Sequence, residues 1–199
     1  MIYPVSVVIP HTKSRAKFFA SVCLPSVERC NPAQIIVVDR EGGACEKRNE
    51  GASRAVCDYL LFVDDDVELM PDFIRRMYEK LQQHQERAYC YSDHYLVDHF
   101  TEPPVETINC STFWNLDKLR KGNFVDTCSL IRKCYFPGFD PEIKRLQDWD
   151  LFLSIGERGG AGVYLPTPMF KRHHMDSGIS DRVDFMESVL AVRRKHGLI

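Results

Sequence analysis

Tyr59-Leu60-Leu61-Phe62-Val63-Asp64-Asp65-Asp66-Val67 is the stretch that decides the fold: five apolar residues run straight into three carboxylates. An apolar run of this length without alternation reads as a central strand buried on both faces, the kind found in α/β sheets. Such a strand delivers its last residues to the carboxyl edge of the sheet, where open α/β folds bind ligands. In an extended chain Asp64 and Asp66 point one way and Asp65 the other. Three adjacent acids repel one another unless a cation sits among them. A hard divalent ion, Mg²⁺ or Mn²⁺, suits such a D-x-D pair and also holds substrate phosphates. The plainer alternative is a solvated acidic turn ahead of the helix that Pro71-Asp72 would open.

Upstream, Val5-Ser6-Val7-Val8-Ile9 is a β-branched strand closed by Pro10, and Gln34-Ile35-Ile36-Val37-Val38-Asp39 is a second one ending in a carboxylate. Phe18, Phe19, Val22, Cys23 and Val27 predict a helix between them, disturbed by Pro25, and Cys45 to Val56 predict another carrying Lys47, Arg48 and Asn49. Strand–helix–strand–helix–strand is the pattern of a parallel sheet. No G-x-G-x-x-G opens either helix, which argues against an ordinary dinucleotide site. The loop His11 to Arg15 would share the sheet edge with the acids. A third helix follows Pro71 through Phe73, Ile74, Met77, Tyr78 and Leu81.

Beyond Ala88 the pattern weakens. Ala88–Ser92 predicts a strand, 93–121 loops and short elements of the kind that line clefts, and Phe124–Arg132 another strand. Asp148–Glu157 predicts a helix and Gly162–Leu165 a last strand ending before Pro166. A polar loop with His173-His174 then leads to an amphipathic helix over Asp181–His196.

The 199 residues are 44% hydrophobic with a formal net charge of -2, which suits one globular domain and excludes broad electrostatic binding to nucleic acid. Residues 1–87 form one half of that domain, 88–180 the other, and 181–199 a terminal helix. No apolar run is long enough for a membrane span, and Met1-Ile2-Tyr3-Pro4 enters a strand with no secretory signal, so a cytoplasmic protein is expected. Eight cysteines without a C-x-x-C spacing read as buried or reduced thiols.

In order along the chain, Val5–Pro10, Ile35–Asp39, Arg48-Asn49-Glu50-Gly51-Ala52, Tyr59–Asp66, Gly138-Phe139-Asp140 and Gln147-Asp148-Trp149-Asp150-Leu151 resemble the segments of the family 2 inverting glycosyltransferases. The chain departs from that pattern at His11-Thr12-Lys13, at Asp39-Arg40-Glu41-Gly42, and at Gln147, where the family has glutamate. The resemblance implies the GT-A fold, a Rossmann-like, mostly parallel central sheet flanked by helices. It also implies transfer of a sugar from a nucleotide-diphospho-sugar, a UDP-sugar foremost, to a hydroxyl of a glycan, glycolipid or protein.

By that resemblance Asp64 and Asp66 hold Mn²⁺ or Mg²⁺, with Asp66 the direct ligand, and Asp65 or Asp64 reaches the ribose or sugar. Asp39 meets the base of the nucleotide, while Pro10 and Thr12 shape its pocket. Arg48 pairs with the nucleotide or its phosphates, an exposed salt bridge being the alternative. His173 or His174 stands near the metal and diphosphate, or is merely solvated, and Lys171 and Arg172 steer the anionic donor. Asp148 is the general base, with Asp150 as rival and a helix-capping acid as the plainer reading. Trp149 either stacks on an acceptor sugar or fills the core. The C-terminal helix packs on the core, forms a dimer contact, or touches the cytoplasmic membrane face peripherally. Two other classes stay open: a nucleotidyltransferase, and a binding module on this fold without chemistry.

Overall fold

β-branched side chains that alternate between two apolar environments build the centre of the sheet. In the computed structural model, which describes residues 1–175 and 183–199, β1 (Tyr3–Pro10) sends Val8 to one hydrophobic cluster and Val7 and Ile9 to the other. β3 (Tyr59–Phe62) does the same with Leu60 and Phe62 against Leu61, and every residue in it is buried. Two covered faces are why this strand reads as an unbroken apolar run.

β2 (Pro32–Val38) and β3 both lie parallel to β1, so the chain leaves all three at one edge. That edge receives His11–Arg15, Asp39 and Asp64–Asp66. Helical turns fill residues 13–29, with α1 (Ala16–Phe18), a π-helical turn over Phe19–Cys23, and α2 (Leu24–Arg29), which takes Pro25 in its first turn, where no N–H is missed. α3 (Ala44–Arg54) lies against β1, and a short β4 (Val67–Leu69) leads to α4 (Phe73–Gln82).

The second half turns the sheet into a mixed one. Among the described residues the strand order is β2-β1-β3-β7-β5-β8-β4, with β6 paired to β5. β7 (Leu130–Arg132) runs antiparallel to both β3 and β5 (Tyr89–Asp98), while β8 (Gly162–His174) runs parallel to β5 and antiparallel to β4. β6 is Val105–Asn109, α5 is Leu116–Lys121, α6 is Gln147–Glu157 and α7 is Phe185–Lys195.

Five expectations change here. The strand expected over 124–132 shrinks to Leu130–Arg132, because Asp126 makes a turn: its Oδ1 accepts from Cys128 N at 2.8 Å and its carbonyl from Ser129 Oγ at 2.6 Å. The strand expected to stop before Pro166 runs on to His174. Its pairing jumps from Ser92↔Leu165 to Asp93↔Pro168, so a bulge absorbs the prolines that a regular ladder would reject. His173-His174 is therefore the end of a strand and not a loop. Asp93–Asp98, expected as loop, continues β5. The C-terminal helix begins at Phe185, and Asp181, where it was expected to start, lies outside the described residues. No described helix is long and apolar enough to cross a membrane. All eight cysteines are free.

Candidate active site at the carboxyl edge

The opening loop is held from two sides. Asp65, 2% exposed, takes hydrogen bonds from Thr12 N (2.7 Å) and Thr12 Oγ1 (2.9 Å), pairs with His11 Nδ1 (3.0 Å), and meets Arg15 Nη1 (3.1 Å). Lys47, also buried, donates from Nζ to the His11 carbonyl at 2.7 Å. The central acid of the triplet thus organises the loop after β1, with Thr12 as its partner. Asp39 stands apart, exposed at the end of β2. Pro10 is buried at the end of β1.

α3 is the bracket of the site, and Arg48, Asn49 and Gly51 of its Arg48-Asn49-Glu50-Gly51 segment each have a physical reason. Gly51 lies so close to β1 that a Cβ there would stand 2.2 Å from Val8 Cγ1. That approach brings Arg48 Nη2 to 2.5 Å from Asp64 Oδ1 and Arg48 Nη1 to 2.6 Å from Gln147 Oε1. Asn49 donates to the Phe139 carbonyl (2.7 Å) and accepts from Phe139 N (2.8 Å), pinning the turn at Gly138, whose φ is +94°. So Gln147, standing where the resembled family has glutamate, is tied directly to the arginine that faces the acids.

Arg172 reaches the same acid from β8. Its Nη1 lies 3.5 Å from Asp64 Oδ2, and its Nη2 lies 3.0 Å from both oxygens of Asp126. Burial alone would raise the Asp64 carboxyl, but Arg48 and Arg172 hold it below its usual range. Asp66 shifts the opposite way: burial pushes it up to about 6, with Asp64 and Asp65 adding to the rise against the pull of Arg172 and Arg15. Arg15 Nη1 lies 2.7 Å from Asp66 Oδ2, while Asp66 Oδ1 is buried without a hydrogen-bond partner.

Among the described residues no group of three or more His, Cys, Asp or Glu is arranged to hold a metal ion. The chemistry of a Mg²⁺-type site does not demand one, since such ions rest on one or two carboxylates plus substrate phosphates. Asp66 Oδ1 is the atom that fits, a buried carboxylate oxygen still short of a partner. The histidines expected nearby are engaged elsewhere. Strand alternation sends Arg172 to the acids and the His173 ring to the opposite face, 2.8 Å from His99 Nε2 and 3.4 Å from Glu68 Oε2. His174 packs its ring edgewise on Phe100 and lies 4.0 Å from Asp98.

Asp148 opens toward a cleft of about 320 Å³ lined by polar groups, among them His94, Asn109, Ser111, Asn123, Asp126 and Arg172. The residue before its helix, Leu146, adopts the left-handed φ of 62°. Burial, with the charge of Asp126 adding to it against Arg172 and Arg48, raises the Asp148 carboxyl to about 6. Asp150, the rival acid, is excluded from the cleft. It is 2% exposed and paired with Lys195 Nζ at 2.7 Å and His196 Nε2 at 2.9 Å, which fastens α7 to α6. Trp149 is core as well: it is 3% exposed and donates from Nε1 to the Leu119 carbonyl at 2.6 Å.

Residues 12–137 match the family description Glycosyl transferase family 2. The chain belongs to that family. The whole of this family 2 chain superposes on S. aureus TarS 1–349 in complex with UDP-GlcNAc at TM-score 0.69 and 15% identity, spanning 66% of that structure. It superposes on the UDP complex of TarS 1–349 at TM-score 0.66 and 14% identity, spanning 65% of it, and on the longer TarS at 0.67 and 14%, spanning 39%. At such identities the likeness is one of fold, the GT-A arrangement of a mixed sheet flanked by helices. No curated protein sequence matches the chain.

The candidate site holds three residues to which the sequence reading gave no role. Lys47 and His11 are polar groups buried beside the triplet, and Asp126 reaches the cleft from an Asx turn. The only sequence signal for Asp126 is Asp-Thr-Cys-Ser after a short apolar run, a turn-forming pattern inside what otherwise reads as a strand.

Proposed function

We propose that this family 2 domain transfers a hexose-like sugar from a UDP-sugar to a hydroxyl of a glycan, glycolipid or protein acceptor, with inversion at the anomeric carbon. One observation carries the reading. Asp148, a carboxylate with its pKa raised to about 6, faces a cleft whose wall, Arg172, also reaches Asp64 at the sheet edge. A base and a cationic phosphate end thus adjoin across one guanidinium. The UDP and UDP-GlcNAc held by the TarS structures support the choice of donor.

The acceptor oxygen would attack the anomeric carbon from the cleft side as its proton passes to Asp148. The bond from that carbon to the diphosphate oxygen breaks, and the UDP leaves on the side of Arg48, Arg172 and Arg15. Asp64 and Asp66 would hold Mn²⁺ or Mg²⁺, an ion that supplies further charge neutralisation to the diphosphate when bound. Asp148 and the cleft of the second half then serve the acceptor, and the first half serves the donor.

The test is UDP, GDP and dTDP binding and sugar-nucleotide hydrolysis, with Mn²⁺ and with chelator, for wild type, Asp66→Ala and Asp148→Asn. The expected pattern is metal-assisted UDP binding that Asp66→Ala loses, and turnover but not binding lost in Asp148→Asn. Failure of any nucleotide to bind the wild type with metal present sinks the reading.

A further inference from the structure

We propose that Asp126 is a positioning residue of this site: it fixes Arg172 at the wall shared by the phosphate end and the acceptor cleft, and limits how far that guanidinium follows the donor. The inference rests on the transfer reading above.

The geometry is unequal in Asp126's favour. Arg172 meets it with Nη2 at 3.0 Å from both oxygens, while the contact to Asp64 is a single one at 3.5 Å. One guanidinium nitrogen placed between both oxygens of a carboxylate at 3.0 Å is a closer charge-assisted pair than a single contact at 3.5 Å. Asp126 is itself immobilised, through Cys128 N on its Oδ1 and Ser129 Oγ on its carbonyl, in a turn whose next three residues, Thr127, Cys128 and Ser129, are all buried. A fixed carboxylate holding a long side chain of rotamer-rich arginine is how a site keeps a cation in one place.

Two consequences follow from charge. The diphosphate of an incoming donor competes with Asp126 for Arg172, so Asp126 weakens ground-state binding of the nucleotide. Asp126 also places a second negative charge on the cleft that Asp148 lines. The groups facing Asp148 are Asp126 from the turn before β7, Arg172 from β8 and Arg48 from α3, with His94 of β5 on the same cleft. With Asp126 neutral, only burial still opposes the two arginines, and the Asp148 carboxyl ionises at lower pH, becoming a weaker base.

Asp126→Asn therefore moves binding and turnover in opposite directions, which no folding defect does. With UDP as the binding probe and UDP-GlcNAc hydrolysis as turnover, we expect affinity to rise about threefold while kcat falls about tenfold. The acid limb of kcat/KM and the carboxyl ¹³C titration of Asp148 should both move to lower pH. Asp126→Glu, which keeps the charge, should restore the limb and the titration. UDP affinity and kcat falling together in Asp126→Asn, or both unchanged, would overturn the inference while leaving the transfer reading intact. If Asp126→Asn fails to fold, Asp126→Glu decides: tightened UDP binding or a displaced limb in that variant counts against the assignment, and wild-type values for both support it. A wild type that binds no UDP overturns both.

Discussion

Gly51→Ala is the most exacting perturbation of the bracket on which the acids depend, because two known effects oppose each other. Alanine is the better helix former by about 1 kcal/mol, so an exposed glycine in α3 would be improved by it. Here the new Cβ would stand 2.2 Å from Val8 Cγ1, against an ordinary contact of 3.4 Å or more, so helix and strand must part by about 1.2 Å locally. Val8 is fully buried in a central strand, and a valine has little χ1 freedom with which to yield. Overpacking of that kind costs about 1–3 kcal/mol. With the overlap this deep the upper end applies, and the net loss is about 2 kcal/mol. For a chain of this length that lowers Tm by about 4–8 °C. The same displacement stretches Arg48 from Asp64 and Asn49 from Phe139, so UDP affinity should fall with stability. Thermal melts and UDP titration of Gly51→Ala against wild type measure both. A variant that melts at or above wild type, with unchanged UDP affinity, would refute the close packing of α3 on β1 and with it the explanation of the Arg48-Asn49-Glu50-Gly51 segment.

Asp148→Asn should lose turnover and yet melt higher at neutral pH. The folded pKa of Asp148 is raised, so the folded state binds its proton more tightly than the unfolded one, and stability falls as pH rises from about 4 towards about 6. Removing the charge removes that loss, and melts of the variant at pH 4 and pH 7 should differ less than those of wild type. His196 tests the strap between α6 and α7. Burial opposes its charge, but Asp150 and Glu157 raise its pKa above the ordinary histidine value. That stability is complete below the ordinary value and is lost as pH rises through the raised one. Protection of residues 185–195 against hydrogen exchange, after correction for the intrinsic pH dependence of exchange, should therefore fall as pH rises above the ordinary histidine value, and His196→Gln should abolish that pH dependence. An equal loss of protection in the variant would count against the strap.

Half of the fold was open to reading because it is local. Val5–Pro10, Gln34–Asp39 and Tyr59–Val63 declare themselves through β-branched or unbroken apolar runs, and the helices between them through spacing. The second half misled where local chemistry was overruled. Pro166 ends a strand by rule, yet the bulge opposite Ser92 and Asp93 leaves it no hydrogen bond to miss. Asp126 sits in a stretch rich in β-formers, yet its own side chain bends the chain into a turn. Asp150 stood as the rival to Asp148 because two residues on a helix differ in facing by a rotation that only packing gives meaning.

The sequence by itself determined that three acids follow a buried strand, that the loop after the first strand and the end of the second share their edge, and that an acid opens the helix at Asp148. Tertiary structure decided which cation meets which acid. Arg172 comes to Asp64 across 108 positions and Gln147 to Arg48 across 99. Periodicity encodes which face of an element is buried, since burial is a property of one element against its surroundings. An ion pair depends on strand order and register, and these follow from β7 entering antiparallel between β3 and β5 and from a bulge in β8, neither of which leaves a trace in local spacing.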